Sequence, residues 1–241
     1  METGPQQEPA PPVENLQKTQ DFFSQWGGYH QLVNELDTYR RTTEALGGEI
    51  QGRLLDVGNG GVFNYDLQTA QEIVVVDLSE ELVNSTTKPD NVTFLWGDAT
   101  ALPVESDSFD TCLLQFLLHH LAEKSFLVTR QRTVQAIREA YRALKPGGRL
   151  VLMESCLPLP WEWAERMLFP VFRFVVERME HPIVFQWNWN RLADFAREAG
   201  FERVELTPVP RGKWIIQLGH RWPTALTPVR VYKIVAHKPK S

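Results

Sequence analysis

The chain is poor in cysteine, has no long apolar run and carries no excess of positive charge. Its two cysteines, Cys112 and Cys156, cannot build a disulfide framework or a four-thiolate metal site. Both sit in apolar, strand-like runs, which suits a reducing cytoplasm. No stretch reaches the roughly 18 consecutive apolar residues of a spanning helix, so membrane insertion is not expected. The opening METGPQQEPAPPVENLQ has neither the basic start nor the apolar stretch of an export signal. Lys plus Arg number 25 against 30 Asp plus Glu, a net charge of −5. The dense positive surface that a phosphate backbone demands is therefore absent, and nucleic acid is not an expected partner. Metal-ligand spacing is missing too. Asp107 and Asp110 flank Phe109 and a turn, and His181 and His220 are isolated, so no metal is expected.

What is present points to one full-sized α/β domain, 241 residues long and 43% hydrophobic. Residues 1–20 combine Pro5, Pro9, Pro11 and Pro12 with glutamines and few large apolar groups, the composition of a disordered tail. From 21 to 50, apolar residues recur at helical spacing (Leu32, Leu36, Tyr39, Ala45, Leu46) and Gly47 with Gly48 supplies a stop, giving one or two helices. Residues 53–155 alternate β-branched runs with helical patterns, as in a parallel sheet covered by helices on both faces. Strands are expected at 53–57, 73–77, 92–95, 111–114 and 149–153. A helix carrying Val134, Ile137, Tyr141 and Leu144 should end at Lys145-Pro146-Gly147-Gly148. Residues 156–190 hold four of the eight tryptophans and read as an inserted, aromatic-rich helical segment. From 191 to 241 a helix, a strand at 201–206 and a last strand near 229–237 follow. The stretch between those two strands is too long for a tight hairpin.

Three constellations carry chemistry. Leu54-Leu55-Asp56-Val57-Gly58-Asn59-Gly60-Gly61 is an apolar strand running into glycines, which let the backbone turn sharply and approach a nucleotide closely. Asp77 ends the next strand, where a carboxylate can accept hydrogen bonds from both ribose hydroxyls. Trp96-Gly97-Asp98-Ala99 follows the third strand. There Asp98 can accept from the exocyclic amine of a base whose ring is flanked by Trp96 and Leu78. One further pattern is a decoy: Tyr141 and Lys145 share the Tyr-x-x-x-Lys spacing of short-chain dehydrogenases, but Pro146 ends the helix at once and the last fingerprint glycine is missing.

In order along the chain, LLDVGNGG (54–61), VVVDLS (74–79), GDATALP (97–103), FDTCLLQFLLHHL (109–121) and LKPGGRLVLME (144–154) resemble the class I S-adenosylmethionine-dependent methyltransferases, in the small-molecule, methyltransferase type 11-like group. The resemblance implies a Rossmann-like, seven-stranded, mostly parallel sheet with its last strand antiparallel and an acceptor held by inserted elements. It implies S-adenosylmethionine as cofactor, with Asp56, Gly58, Asn59 and Gly60 along the methionine moiety. Asp77 would lie at the ribose, Asp98 at the adenine and Gln115 near the sulfonium, with Leu78 and Ala99 also at the cofactor. One departure stands out. Val62 occupies the place of the third motif glycine, and the span before the second strand is short, so the helix that follows should be short or tilted.

His119 and His120 lie just past the fourth strand, where an imidazole can exchange a proton near neutral pH beside the methyl donor. Glu154, at the end of the fifth strand, resembles acids that orient the acceptor or a histidine. These three are the candidate catalytic residues, against a plain structural role for each. The aromatic insertion, with Trp163, Trp187 and Trp214 as candidate substrate contacts, is expected to form a lid over an acceptor with apolar or ring surface. The expected activity is methyl transfer to a small, partly apolar acceptor of the kind found in secondary metabolism, by a cytoplasmic monomer or homodimer. The rival expectation, which Val62 keeps open, is a methyltransferase-like protein acting as a non-methylating cyclase or binding partner.

Overall fold

The computed structural model describes residue 18 and residues 36–79, 89–178, 181–217 and 220–240. The expected disordered tail, Lys18 apart, and the helical reading before residue 36 lie outside the described residues. Helix α1 (Asp37–Leu46) ends where the glycine pair begins, with Gly48 in the left-handed region (φ 78°).

Five strands then run in one direction: β1 (Arg53–Val57), β2 (Glu72–Asp77), β3 (Val92–Trp96), β4 (Phe109–Gln115) and β5 (Leu144–Cys156). Each contains the apolar run from which it was expected. Helix α2 (Phe126–Ala143) separates β4 from β5, and helix α3 (Leu159–Arg178) follows β5. Helix α4 (Trp189–Glu198) leads to β6 (Glu202–Pro208), and β9 (Arg230–His237) closes the sheet. Between them lies a separate hairpin, β7 (Trp214–Gln217) with β8 (His220–Pro223).

The sheet order is β3-β2-β1-β4-β5-β9-β6. β9 runs antiparallel to both β5 and β6 and sits between them. Its predecessors from β1 to β5 pair in parallel. Strand order reverses between β1 and β4, and this places a crevice at their carboxyl ends, where ligands of open α/β sheets bind.

Two apolar clusters cover the two faces. One joins Val134, Ile137 and Ala140 of α2 and Leu192 of α4 to Phe185 and Trp187. The other joins Leu46 of α1 and Ile215 of β7 to Leu54, Ile73 and Val75. α2 stops at Ala143, just before Lys145-Pro146-Gly147-Gly148, and Leu144, expected in the helix, opens β5 instead. The pairing of β4 with β5 jumps from Phe109–Leu144 to Thr111–Arg149, so these four residues bulge out of the ladder.

The β1 to β2 crossover carries a single 3-10 turn, Leu67–Thr69, capped by the Asp66 side chain. It is even shorter than the short helix expected from Val62. Phe63, Tyr65 and Leu67 cover the sheet there instead. The dehydrogenase-like pair is structural: Tyr141 packs edge-on against Phe201 at 5.0 Å, and Lys145 pairs with Asp110 at 2.8 Å. Among the described residues no helix is long and apolar enough to cross a membrane, and no three His, Cys, Asp or Glu side chains gather to hold a metal ion.

Candidate active site

The glycine turn at the end of β1 is built for close approach. Gly58 has φ 68° and packs so tightly that an added Cβ would lie 2.5 Å from Leu117 Cδ1, whereas Gly60 (φ 61°) faces open space. The next strand locks the turn from beside it. Asp77 accepts from the Gly60 N–H at 3.1 Å and from the Ser79 N–H at 2.9 Å. Burial, opposed by these backbone hydrogen bonds, holds its carboxyl above the usual range.

Asp56 is 1% exposed. One of its oxygens, Oδ2, accepts from Tyr65 Oη at 2.6 Å and Asn59 Nδ2 at 3.0 Å, while Oδ1 is buried with no partner. Burial pushes this carboxyl up to about 6 despite both hydrogen bonds. Gln115 Nε2, at the end of neighbouring β4, is likewise buried with no partner. Orphan polar atoms in a crevice are costly and fit a polar ligand. A carboxylate oxygen beside an open glycine turn suits an ammonium group in particular.

On the far side, Trp96 Nε1 donates to the Leu78 carbonyl at 2.9 Å. This fixes an indole that is 56% exposed and able to flank a ring. Asp98 sits between Arg132 (3.0 Å) and Thr100, whose N–H (2.8 Å) and Oγ1 (2.9 Å) both reach it. The Ala99 methyl is buried in the core, so its backbone alone remains to meet a base.

The histidine pair stands next to this crevice. His119 Nδ1 lies 2.7 Å from Glu154 Oε1. Glu154, 1% exposed, is itself held by the N–H groups of Leu118 (2.9 Å) and Ser155 (2.7 Å). With Nδ1–H donating to the carboxylate, Nε2 of His119 keeps its lone pair. The His120 ring lies 4.0 Å from that of His119, centroid to centroid. Burial and its neighbour hold its pKa well below the usual histidine value.

Both histidines line a cavity of about 630 Å³ with Phe116, Trp161, Leu168, Phe172, Ile215 and Val229 among its mainly apolar walls. Phe116 adopts φ 52°, a left-handed conformation that is rare for a bulky residue and concentrates at functional sites. α1 meets the hairpin beside this cavity, since the Asp37 carboxylate accepts the Lys213 N–H at 2.8 Å.

The three tryptophans expected to contact substrate do not line the cavity. Trp187 is fully buried among Phe126, Phe185 and Phe195, because residues 181–188 form no helix and pack into the core at this position. Trp163 is half exposed beside the Arg166 guanidinium. Trp214 lies under Arg221, with its β7 neighbours Ile215 to Gln217 facing the cavity instead. Among the described residues the lining indole is Trp161. Sequence reasoning also missed Tyr65, which has no local signal, and Glu165, whose signal was an acid inside an aromatic stretch.

Asp77→Ala is expected to weaken cofactor binding by about 1.5–3 kcal/mol, the scale of lost charge-assisted hydrogen bonds. Calorimetry on the folded variant checks it, and unchanged affinity removes Asp77 from the site. A second expectation concerns pH. An Asp56 carboxyl raised to about 6 is charged above that value and neutral below it, so affinity for a cofactor carrying an ammonium group should fall as pH drops through 6. Asp56→Asn should flatten that dependence in titrations between pH 5 and 8.

A glycine-lined switch point, a carboxylate ending β2 and an apolar cavity lie together at the carboxyl edge of a doubly wound α/β sheet, where the ligands of such sheets bind. Comparison with known proteins makes the class specific. A family described as methyltransferase domain matches residues 55–152. The ubiquinone/menaquinone biosynthesis C-methyltransferase UbiE of Cereibacter sphaeroides is 31% identical over 182 residues, covering 64% of this chain and 67% of that protein. The match to the demethylmenaquinone methyltransferase of Lactiplantibacillus plantarum (28% identical) covers 58% of this chain and 63% of that protein.

Among solved structures, the [4+2]-cyclase SpnF shares the fold with a TM-score of 0.59 at 20% identity, over 84% of this chain and 81% of that one. The 1,6-didemethyltoxoflavin-N1-methyltransferase of Burkholderia thailandensis, bound to S-adenosylhomocysteine and 1,6-didemethyltoxoflavin, gives 0.59 at 17% identity over 96% and 93%. The chain belongs to the class I S-adenosylmethionine-dependent methyltransferases, and S-adenosylmethionine is its cofactor.

Proposed function

We propose that this enzyme methylates a small, largely apolar ring acceptor bearing a hydroxyl, related to the ubiquinone and menaquinone whose biosynthesis its UbiE relative is named for, and bound in the cavity against His119. The observation that carries this reading is the apolar cavity of about 630 Å³ with His119 in its wall and the buried Glu154 carboxylate hydrogen-bonded behind it. Asp56, Gly58, Gly60, Asp77 and Gln115 would hold the cofactor, with the Trp96 indole flanking its base. When bound, S-adenosylmethionine supplies a methyl carbon activated by its sulfonium.

The protein's part is then positioning, exclusion of water and removal of one proton. Glu154 keeps the proton of His119 on Nδ1. Nε2 takes the proton of the acceptor hydroxyl, and the ring becomes more electron-rich as that proton leaves. The ring carbon that gains the methyl group then loses its own proton as the oxygen recovers one, so that one proton is released overall. Glu154 stabilises the resulting imidazolium from 2.7 Å. The apolar walls select a ring body and reject heavily charged acceptors, because burying an unpaired charge there is costly.

The test is transfer of labelled methyl from S-adenosylmethionine to reduced naphthoquinones and hydroxylated benzenes. Incorporation into a hydroxylated ring supports the reading. Tight cofactor binding without transfer to any of them sinks it and favours non-methylating chemistry on the same fold.

A further inference from the structure

Among the described residues, Glu165 of α3 is the one acidic residue lining the cavity. Its Oε1 accepts the Gln186 N–H at 3.3 Å, and its Oε2 is buried with no partner. No ion pair reaches it among the described residues. Glu162, one turn earlier, takes Arg191 at 2.5 Å and the Asn188 N–H at 2.8 Å. The Arg166 guanidinium lies over the Phe126 ring at 4.3 Å. A buried carboxyl oxygen left without a partner costs free energy that a ligand can recover.

Glu165 also terminates a continuous polar strip. Gln186 Nε2 donates to Ser155 Oγ at 3.1 Å. The Ser155 N–H donates to Glu154, and Glu154 holds His119. His119, Ser155, Gln186 and Glu165 all line the same cavity. An otherwise mainly apolar chamber thus has the candidate base at one end of a fixed hydrogen-bonded strip and an unsatisfied carboxyl at the other. Few, well-placed polar groups in an apolar pocket are what orient a small ligand.

We propose that Glu165 is the acceptor-anchoring residue, whose carboxyl hydrogen-bonds a hydroxyl or carbonyl oxygen of the acceptor and so selects oxygenated rings and sets which ring atom faces the cofactor crevice. This rests on the reading of the cavity as the acceptor site. Burial, opposed by the Gln186 N–H and aided by the Glu162 charge, pushes the Glu165 carboxyl up to about 8. It therefore carries a proton at neutral pH and donates to an acceptor oxygen. Its titratable neighbours around the cavity, among the described residues, are Tyr39, His119, His120 and His181, with Glu162 and Arg166 on its own helix. A site built to hydrogen-bond an oxygen discriminates against the analogue that lacks it, because the buried protein group is then left unpaired.

The test compares binding of 1-naphthol and naphthalene, in the presence of S-adenosylhomocysteine, to the wild-type chain, Glu165→Gln and Glu165→Leu. The wild type should prefer 1-naphthol by about 10-fold or more, the scale of one buried hydrogen bond. Glu165→Leu should abolish the preference. Glu165→Gln, which keeps shape and a donor, should retain most of it. S-Adenosylhomocysteine affinity should be the same in all three, which also shows that the variants are folded. If the preference survives in Glu165→Leu, or is absent from the wild type, Glu165 does not anchor the acceptor. Labelled-methyl transfer measured on the wild type separates the two readings: a Glu165-dependent preference with no methyl transfer upholds the anchor and overturns the methylation of such rings.

Discussion

Replacing His119 with alanine is expected to lower turnover by about 10²- to 10⁴-fold, the range for loss of a general base, while S-adenosylmethionine affinity stays unchanged. The asymmetry between the two histidines is the reason. His119 is tethered through Nδ1 to a buried carboxylate at 2.7 Å, and that carboxylate is pinned by the backbone N–H groups of Leu118, His119 and Ser155 before any ligand arrives. Its tautomer and direction are thus preset, and the second nitrogen is left basic. His120 shares the cavity wall, but burial disfavours its charged form, so it is a poor resting place for a proton. His120→Ala should therefore cost turnover much less. Single-turnover rates for the two variants, with calorimetry of cofactor binding, decide the matter. Equal losses in both would remove His119 from the role of base.

Trp187→Ala should cost about 3–5 kcal/mol of stability, the range for truncating a large aromatic side chain in a core. Its ring lies 4.7 Å from Phe185, 5.1 Å from Phe195 and 5.6 Å from Phe126, so the cluster that joins α2 and α4 to the sheet loses its centre. Trp161→Ala offers the contrast. Trp161 is 56% exposed and lines the cavity, so its truncation should weaken acceptor binding and leave stability nearly unchanged. Urea denaturation of both variants, with acceptor titrations, measures the two effects. A Trp187→Ala protein of wild-type stability and impaired acceptor affinity would contradict the placement of Trp187 in the core.

The parallel strands and the turn that follows β1 were legible in the residues alone. Apolar β-branched runs, a glycine cluster and a Lys-Pro-Gly-Gly stop act locally, through sterics and burial that do not depend on distant contacts. Placing Asp56 and Asp77 at adjacent strand ends needed only the parallel order. The order of elements also revealed an aromatic insertion between β5 and α4. It did not reveal which aromatics face in. Trp161 and Trp163 are two apart on a helix, so they point in different directions. Trp187 and Trp189 straddle the start of α4, and only packing turns the first into the core and the second onto Tyr232 at 4.5 Å.

Glu154 and His119 are separated by 35 positions, and Glu165 meets Gln186 across 21. No local pattern reports such pairs, because their energy appears only once two chain segments have been brought together and water has been removed from between them. For this protein the sequence by itself determined the sheet, the glycine turn and the carboxylates at the strand ends. Tertiary structure decided which histidine has a carboxylate behind it, which tryptophan meets the cavity and which buried acid is left seeking a partner, since each of these depends on desolvation and contact between residues remote along the chain.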